Sequence, residues 1–118
     1  MNTSSEITVP LYYTYNQNNS GGRFIKNDQV CHYVIVQAVS PADADQRAET
    51  IGIYFDGCET GQDCDCCGDR WSRAWRDGSA EPEIYGRDPR EHDAMFAKEG
   101  EVYCRIYHLS GIITEVKA

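Results

Sequence analysis

Nine residues, CHYVIVQAV (31–39), constrain the fold of this chain more than any other segment. The run is nearly continuous in apolar and β-branched side chains. Such a run reads as a central strand covered on both faces, because an edge strand with one wet side would alternate. A strand of that kind needs a layer above it and a layer below. The next segment, SPADADQRAETIG (40–52), supplies one of them as a helix. Ser40 sits where an N-cap is needed, Pro41 at the first helical position, and Asp43 at the positive end of the dipole. Ala44, Ala48 and Ile51 recur at i, i+4 and i+7, a stripe small enough to lie close against a sheet. Asp43, Gln46, Arg47 and Glu49 or Thr50 fall on the solvated side, and Gly52 stops the helix in the left-handed region.

The remaining elements are shorter. LYYTYN (11–16) is aromatic and β-prone, and RFIK (23–26) is expected to pair with it across the intervening loop. IYF (53–55) reads as a short strand closed by Asp56-Gly57. At the C-terminal end, EVYCRIYHL and IITEV are two strands joined at Ser110-Gly111, a tight hairpin. Between residues 58 and 100 the pattern weakens into glycines, prolines and charges. DRWSRAWRDG could be a helix from Asp69 to Gly78, although its alternation fits a strand equally well. DPREHDAMFAKEG carries a fuller set of helix signals: Asp88 as cap, Pro89 at the first position, Glu91 completing a capping box and Gly100 as stop. The expected fold class is α+β, an antiparallel or mixed β-sheet with a helix packed on one face and an irregular Cys/Gly-rich middle segment. At 118 residues this is one domain, 1–118, with residues 1–9 as a flexible leader.

Charge narrows the function classes. Nineteen acidic residues against eleven basic ones leave a net charge of -8, which repels phosphate backbones and disfavours nucleic acid as a partner. A small anion remains compatible, because eight of the eleven cations are Arg, whose planar fork suits phosphate and carboxylate. Arg70, Arg73 and Arg76 fall close together. No apolar run approaches the ~20 residues that span a bilayer, so no membrane role is expected. The start, MNTSSEITVP, has neither a basic region nor an apolar core of a signal peptide. The expected compartment is therefore the cytoplasm, where six cysteines imply free thiols or bound metal rather than a disulfide frame.

Three stretches could carry chemistry. The first is YNQNNSGG (15–22), a run of amides, a serine and two glycines followed by Arg23. Asn18, Asn19 and Ser20 offer donors and acceptors, while Gly21 and Gly22 permit positive φ and bring N–H groups near an anion. A long polar turn would use the same residues for geometry alone. It is not a phosphate-binding P-loop, since no Lys-Ser/Thr pair or helix follows Gly22. The second stretch is CETGQDCDCCGDRW (58–71). Cys64 and Cys67 stand in C-x-x-C spacing before Gly68, as in a zinc knuckle, with Cys58 and Cys66 nearby and His32, His92 or His108 able to arrive from elsewhere. A closed zinc site needs four ligands and no second pair is present, so a packed turn with reduced thiols competes. A thioredoxin-like pair would need a strand before and a helix after, and that is not the pattern. The third stretch is DRWSRAWR, where Arg70 and Trp71 could fork a diphosphate and stack a base, or simply anchor a loop. Trp75 reads as such an anchor. No nucleophile–base spacing is present, and the chain is not expected to be an enzyme.

Taken as a set, YNQNNSGG, SPADADQRAETIGIYFDG and CDCCGDRW over residues 12–117 resemble a family of small tailed-bacteriophage proteins of mostly unassigned function. In size and style the chain is also similar to the phage sponges of the Sequestin type. That resemblance implies a non-enzymatic protein that sequesters a cyclic ADP-ribose-type signal of Thoeris defence in an infected bacterial host. The ligand would meet Tyr15, Asn18, Asn19, Ser20, Gly21, Gly22, Arg23, Arg70 and Trp71, with Tyr12 and Tyr13 as further aromatic faces. The pocket would sit in a homodimer or higher homo-oligomer. The alternatives are an acidic protein–protein inhibitor of a host enzyme, a small zinc-binding module, and an enzyme degrading the signal.

Overall fold

The computed structural model describes residues 9–74 and 78–118. Apart from Val9, the expected leader lies outside the described residues, as do Trp75, Arg76 and Asp77. Four strands form one mixed sheet in the order β1-β2-β3-β4: β1 is Leu11–Asn16, β2 Tyr33–Ala38, β3 Val102–Tyr107 and β4 Ile113–Lys117. β1 runs antiparallel to β2, β2 parallel to β3, and β3 antiparallel to β4. The sheet with its helix is the expected α+β class, and β2 holds the central place its composition requires.

Alternation along the strands divides the core into two layers. Val34, Val36 and Ala38 of β2, with Tyr13 and Tyr15 of β1, face helix α1 (Pro41–Thr50) together with Ile53, Phe55 and Trp71. Tyr33 and Ile35 face the other way and pack with Cys104, Ile106 and Val116 beneath Ile84. Helix α1 begins as its sequence specifies: the Asp43 N–H donates to Ser40 Oγ at 3.0 Å, and the Val39 N–H donates to Asp43 Oδ2 at 3.1 Å. Ala44 and Ala48 are fully enclosed, so the small-residue stripe does bring the helix down onto the sheet. The hairpin also forms, with the Gly111 N–H donating to the His108 carbonyl and Gly111 at φ 96°.

Four expected elements take other shapes. Residues 23–26 are not a strand: β2 occupies the pairing edge of β1, and the Gln17 side chain takes the place of a strand neighbour. The Ile25 N–H donates to Gln17 Oε1 at 2.6 Å, and Gln17 Nε2 donates to the Ile25 carbonyl at 3.0 Å. Ile53 and Phe55 bury their side chains without entering the sheet ladder. Residues 69–74 are neither helix nor strand, and the rest of that stretch includes the undescribed positions. Of the helix expected after Asp88, only a single 3-10 turn, Pro89–Glu91, forms. The Tyr103 hydroxyl donates to the Pro89 carbonyl, the acceptor a second helical turn would use, and His92 turns to extended backbone. Phe96 instead stacks near His32, ring centroids 4.1 Å apart, and this irregular segment covers the second face of the sheet. Among the described residues no helix is long and apolar enough to cross a membrane.

Candidate functional site

The 56–71 segment is organised around a buried carboxylate. Asp56 takes a left-handed conformation (φ 60°) and starts the four-residue helix α2, Gly57–Thr60. Asp63 then folds back, its N–H donating to the Gly57 carbonyl. A Cβ on Gly57 would lie 1.8 Å from Asp63 Oδ2, so glycine is required there. The Asp63 side chain is fully enclosed and accepts the Tyr54 hydroxyl at 2.5 Å and the Arg70 N–H at 2.8 Å. The Arg70 guanidinium lies beside it, Nε to Oδ1 at 3.7 Å, in the same enclosed space.

Arg70 is what the polar loop wraps. Its Nη1 donates to Gln17 Oε1 at 3.0 Å and to the Arg23 carbonyl at 2.7 Å, and its Nη2 donates to the Ser20 carbonyl at 2.7 Å. The loop clamps the cysteine turn as well. Asn18 Nδ2 donates to the carbonyls of Cys67 and Asp69 at 2.7 and 3.2 Å. The Cys64 N–H donates to Ser20 Oγ at 3.0 Å. Gly21 and Gly22 adopt positive φ as expected, but the N–H groups of Ser20 and Gly22 donate to the carbonyls of Asn18 and Asn19. That internal bonding closes part of the proposed anion nest. The amide-rich run and the Arg-Trp corner do meet, and they meet each other.

This changes the standing of several expected ligand contacts. Trp71 is 1% exposed within the helix-side core and has no face for a base. Tyr15 is buried and donates its hydroxyl to Asp45 at 2.8 Å. Burial, with Asp45 adding to it, pushes that phenol far above its ordinary pKa. Arg70 has its fork filled by the protein's own carbonyls. Arg73 stacks over Phe55 and pairs with Asp56 at 2.6 Å, so it is not a free fork either. Asn19, Gly21, Gly22 and Arg23 remain as an exposed rim.

The cysteine turn itself is a knuckle. Cys67 and Gly68 N–H groups both donate to the Cys64 carbonyl at 3.1 Å, with Gly68 at φ 87°. The sulfurs of Cys64, Cys66 and Cys67 all lie within 4.8 Å of one another, close enough to hold a metal ion together. Cys66 Sγ is 2.7 Å from Cys64 Sγ and 3.8 Å from Cys67 Sγ. Hydrogen bonding from Cys66, through its thiol and its N–H, holds the Cys64 thiol below its usual pKa. The same contact pushes the Cys66 thiol up to about 11. Cys58 stands aside: its thiol donates to the Cys64 carbonyl at 3.4 Å, and burial followed by the Asp69 carboxylate pushes it up to about 11. Cys104 is buried in β3 and Cys31 is buried just ahead of β2, and neither belongs to the sulfur trio. His32, His92 and His108 are absent from the cluster; His32 packs between Phe24 and Phe96, and His108 bonds Tyr12 and Thr114.

One family model, a domain of unknown function called DUF7296, matches residues 10–117. The chain belongs to that family. No curated protein and no solved structure matches it. The matched span takes in both the loop and the knuckle, so the site lies within the DUF7296 domain rather than on an appended tail.

A second concavity of about 720 Å³ opens elsewhere in the DUF7296 domain, between residues 81–90 and the β3–β4 hairpin. Arg87, Arg90, Lys117 and His108 line it together with Glu81, Glu83, Asp88 and Glu115. No sequence motif marks this cavity, because its residues are far apart in the chain and only the sheet brings them together. Asp63, the pivot of the knuckle, also escaped sequence reasoning. Its one signal is position, directly before the first cysteine of the turn, in a segment where the Asp63 and Arg70 pair brackets the thiols.

Proposed function

We propose that this chain is a non-enzymatic binding module whose knuckle holds a thiophilic metal ion, zinc foremost, through Cys64, Cys66 and Cys67. The observation that carries the reading is the convergence of three sulfurs on a backbone turn that the rest of the fold clamps in place. Zinc–sulfur bonds of about 2.3 Å give a tetrahedral edge of about 3.8 Å, and the Cys66–Cys67 separation of 3.8 Å fits it. Binding would displace the thiol protons and open the Cys64–Cys66 contact. Three protein thiolates leave a fourth position for solvent or an outside ligand. Metal analysis of protein purified under reducing conditions tests this, with Cys64→Ser and Cys67→Ser as controls. About one equivalent of zinc, lost in both variants, is expected. Protein that takes up neither zinc nor cobalt, with no thiolate-to-cobalt absorption, refutes it.

The 720 Å³ cavity favours a second reading, sequestration of a nucleotide signal of the cyclic ADP-ribose type in an infected host cell. Three cations line it beside four carboxylates; Arg90 is paired with Asp88, which leaves Arg87 and Lys117 to meet a diphosphate. A homodimer would enclose such a ligand further. Incubation with cyclic ADP-ribose isomers, followed by heating and recovery of intact ligand, separates a sponge from a hydrolase. Retention by the wild type and loss in Arg87→Ala supports this reading, while no retention of any nucleotide across a broad panel ends it.

A further inference from the structure

The three sulfurs are not evenly spaced, and the asymmetry points to a second chemistry. Cys64 Sγ and Cys66 Sγ are 2.7 Å apart. That lies nearer the ~2.05 Å of a sulfur–sulfur bond than the ~3.8 Å edge of a shared tetrahedral ion. Cys64 is fixed from behind: its N–H is held by Ser20, its carbonyl receives Cys67 and Gly68, and its neighbour Asp63 is buried. Cys66 stands at the exposed apex of the turn, where a small reagent can reach it.

We propose that Cys64 and Cys66 are a thiol–disulfide exchange pair for low-molecular-weight disulfides, the exposed Cys66 attacking and the clamped Cys64 resolving. The Cys66 thiolate attacks one sulfur of RS–SR, forming a mixed disulfide and releasing RS⁻. Cys64, losing its proton to the released thiolate, then attacks the Cys66 sulfur and expels the second RS⁻, which takes a proton from solvent. Two protein thiols become one disulfide, and RS–SR becomes two RSH; two electrons pass from protein to reagent. A bond spanning a single intervening residue closes a small, strained ring, so it is readily reduced again. Cys31 and Cys104, both buried, take no part. The exchange needs no metal; only its consequence, that oxidation leaves Cys67 as the one thiolate of the trio and ejects the ion, rests on the metal reading above.

The test equilibrates the reduced full-length protein with oxidised and reduced glutathione at a series of ratios, quenches with an alkylating reagent, and maps the cysteines by fragment mass spectrometry. Free thiols should fall from the six of the sequence to four, with the new bond between Cys64 and Cys66. Cys64→Ser should stop at one glutathione on Cys66, and Cys67→Ser should still form the internal bond; circular dichroism checks that both variants fold. A bond between Cys66 and Cys67 or between Cys64 and Cys67, or six free thiols at every ratio, overturns the proposal. Zinc is measured on the same samples. A Cys64–Cys66 bond in protein that never held metal upholds the exchange and removes the metal reading, whereas zinc retained after oxidation overturns the ejection step.

Discussion

Replacing Arg70 by Met gives the strongest test of how loop and knuckle are joined. The substitution keeps an unbranched apolar stem and removes the guanidinium that sits 8% exposed between Asp63, Gln17 and two loop carbonyls. It leaves the fully enclosed Asp63 carboxylate without its countercharge. Breaking one side of a buried ion pair costs about 3–5 kcal/mol, because the other charge stays desolvated. The carbonyls of Ser20 and Arg23 lose their donor too, and because Ser20 is buried its unpaired acceptor adds to the loss. Against a total stability of about 5–15 kcal/mol, the loss is a large share. For a chain of this size the melting temperature should fall on the order of 10–20 °C. Urea unfolding of wild type, Arg70→Met, Asp63→Asn and the double variant closes a cycle. The double variant should lose less than the sum of the singles, since neutral Asn needs no countercharge. A loss under about 1 kcal/mol in Arg70→Met, with an unchanged denaturant slope, would refute the idea that this pair organises the site. The same variant should label faster at Cys64, Cys66 and Cys67 with a thiol reagent, because Ser20 and Asn18 no longer hold the turn.

Three further outcomes are expected. Gly57→Ala forces a methyl into the space of the Asp63 carboxylate and should cost about 2–4 kcal/mol in urea unfolding, through strain and loss of that carboxylate's bonds. Burial holds the His32 imidazole below its ordinary pKa, so the unfolded chain binds its proton first as pH falls. Stability should therefore be unaffected by His32 well above pH ~6.5, decline as pH drops below that value, and level off once the folded form also protonates. His32→Phe should flatten that part of a pH–stability profile, and an unchanged profile would count against the assignment. Ala48→Leu overfills a fully enclosed contact between α1 and the sheet, with an expected loss of about 1–3 kcal/mol by thermal melting.

What the sequence determined by itself was local. The Ser40 cap, Pro41, the alanine stripe and Gly52 specify α1 because each acts within a turn or two of its own position. The C-x-x-C-Gly knuckle and the Ser110-Gly111 hairpin are legible for the same reason. The continuous apolar run of β2 also announced a central strand, since no edge strand tolerates it. What the tertiary structure alone decided was which groups are used up inside. Nothing near Arg70 says that its fork will hold Ser20 and Arg23, and nothing near Trp71 says that it will vanish into the core. Donors and acceptors far apart in the chain satisfy one another when the sheet brings them together, so a polar loop that reads as ready for a ligand can already be full of protein.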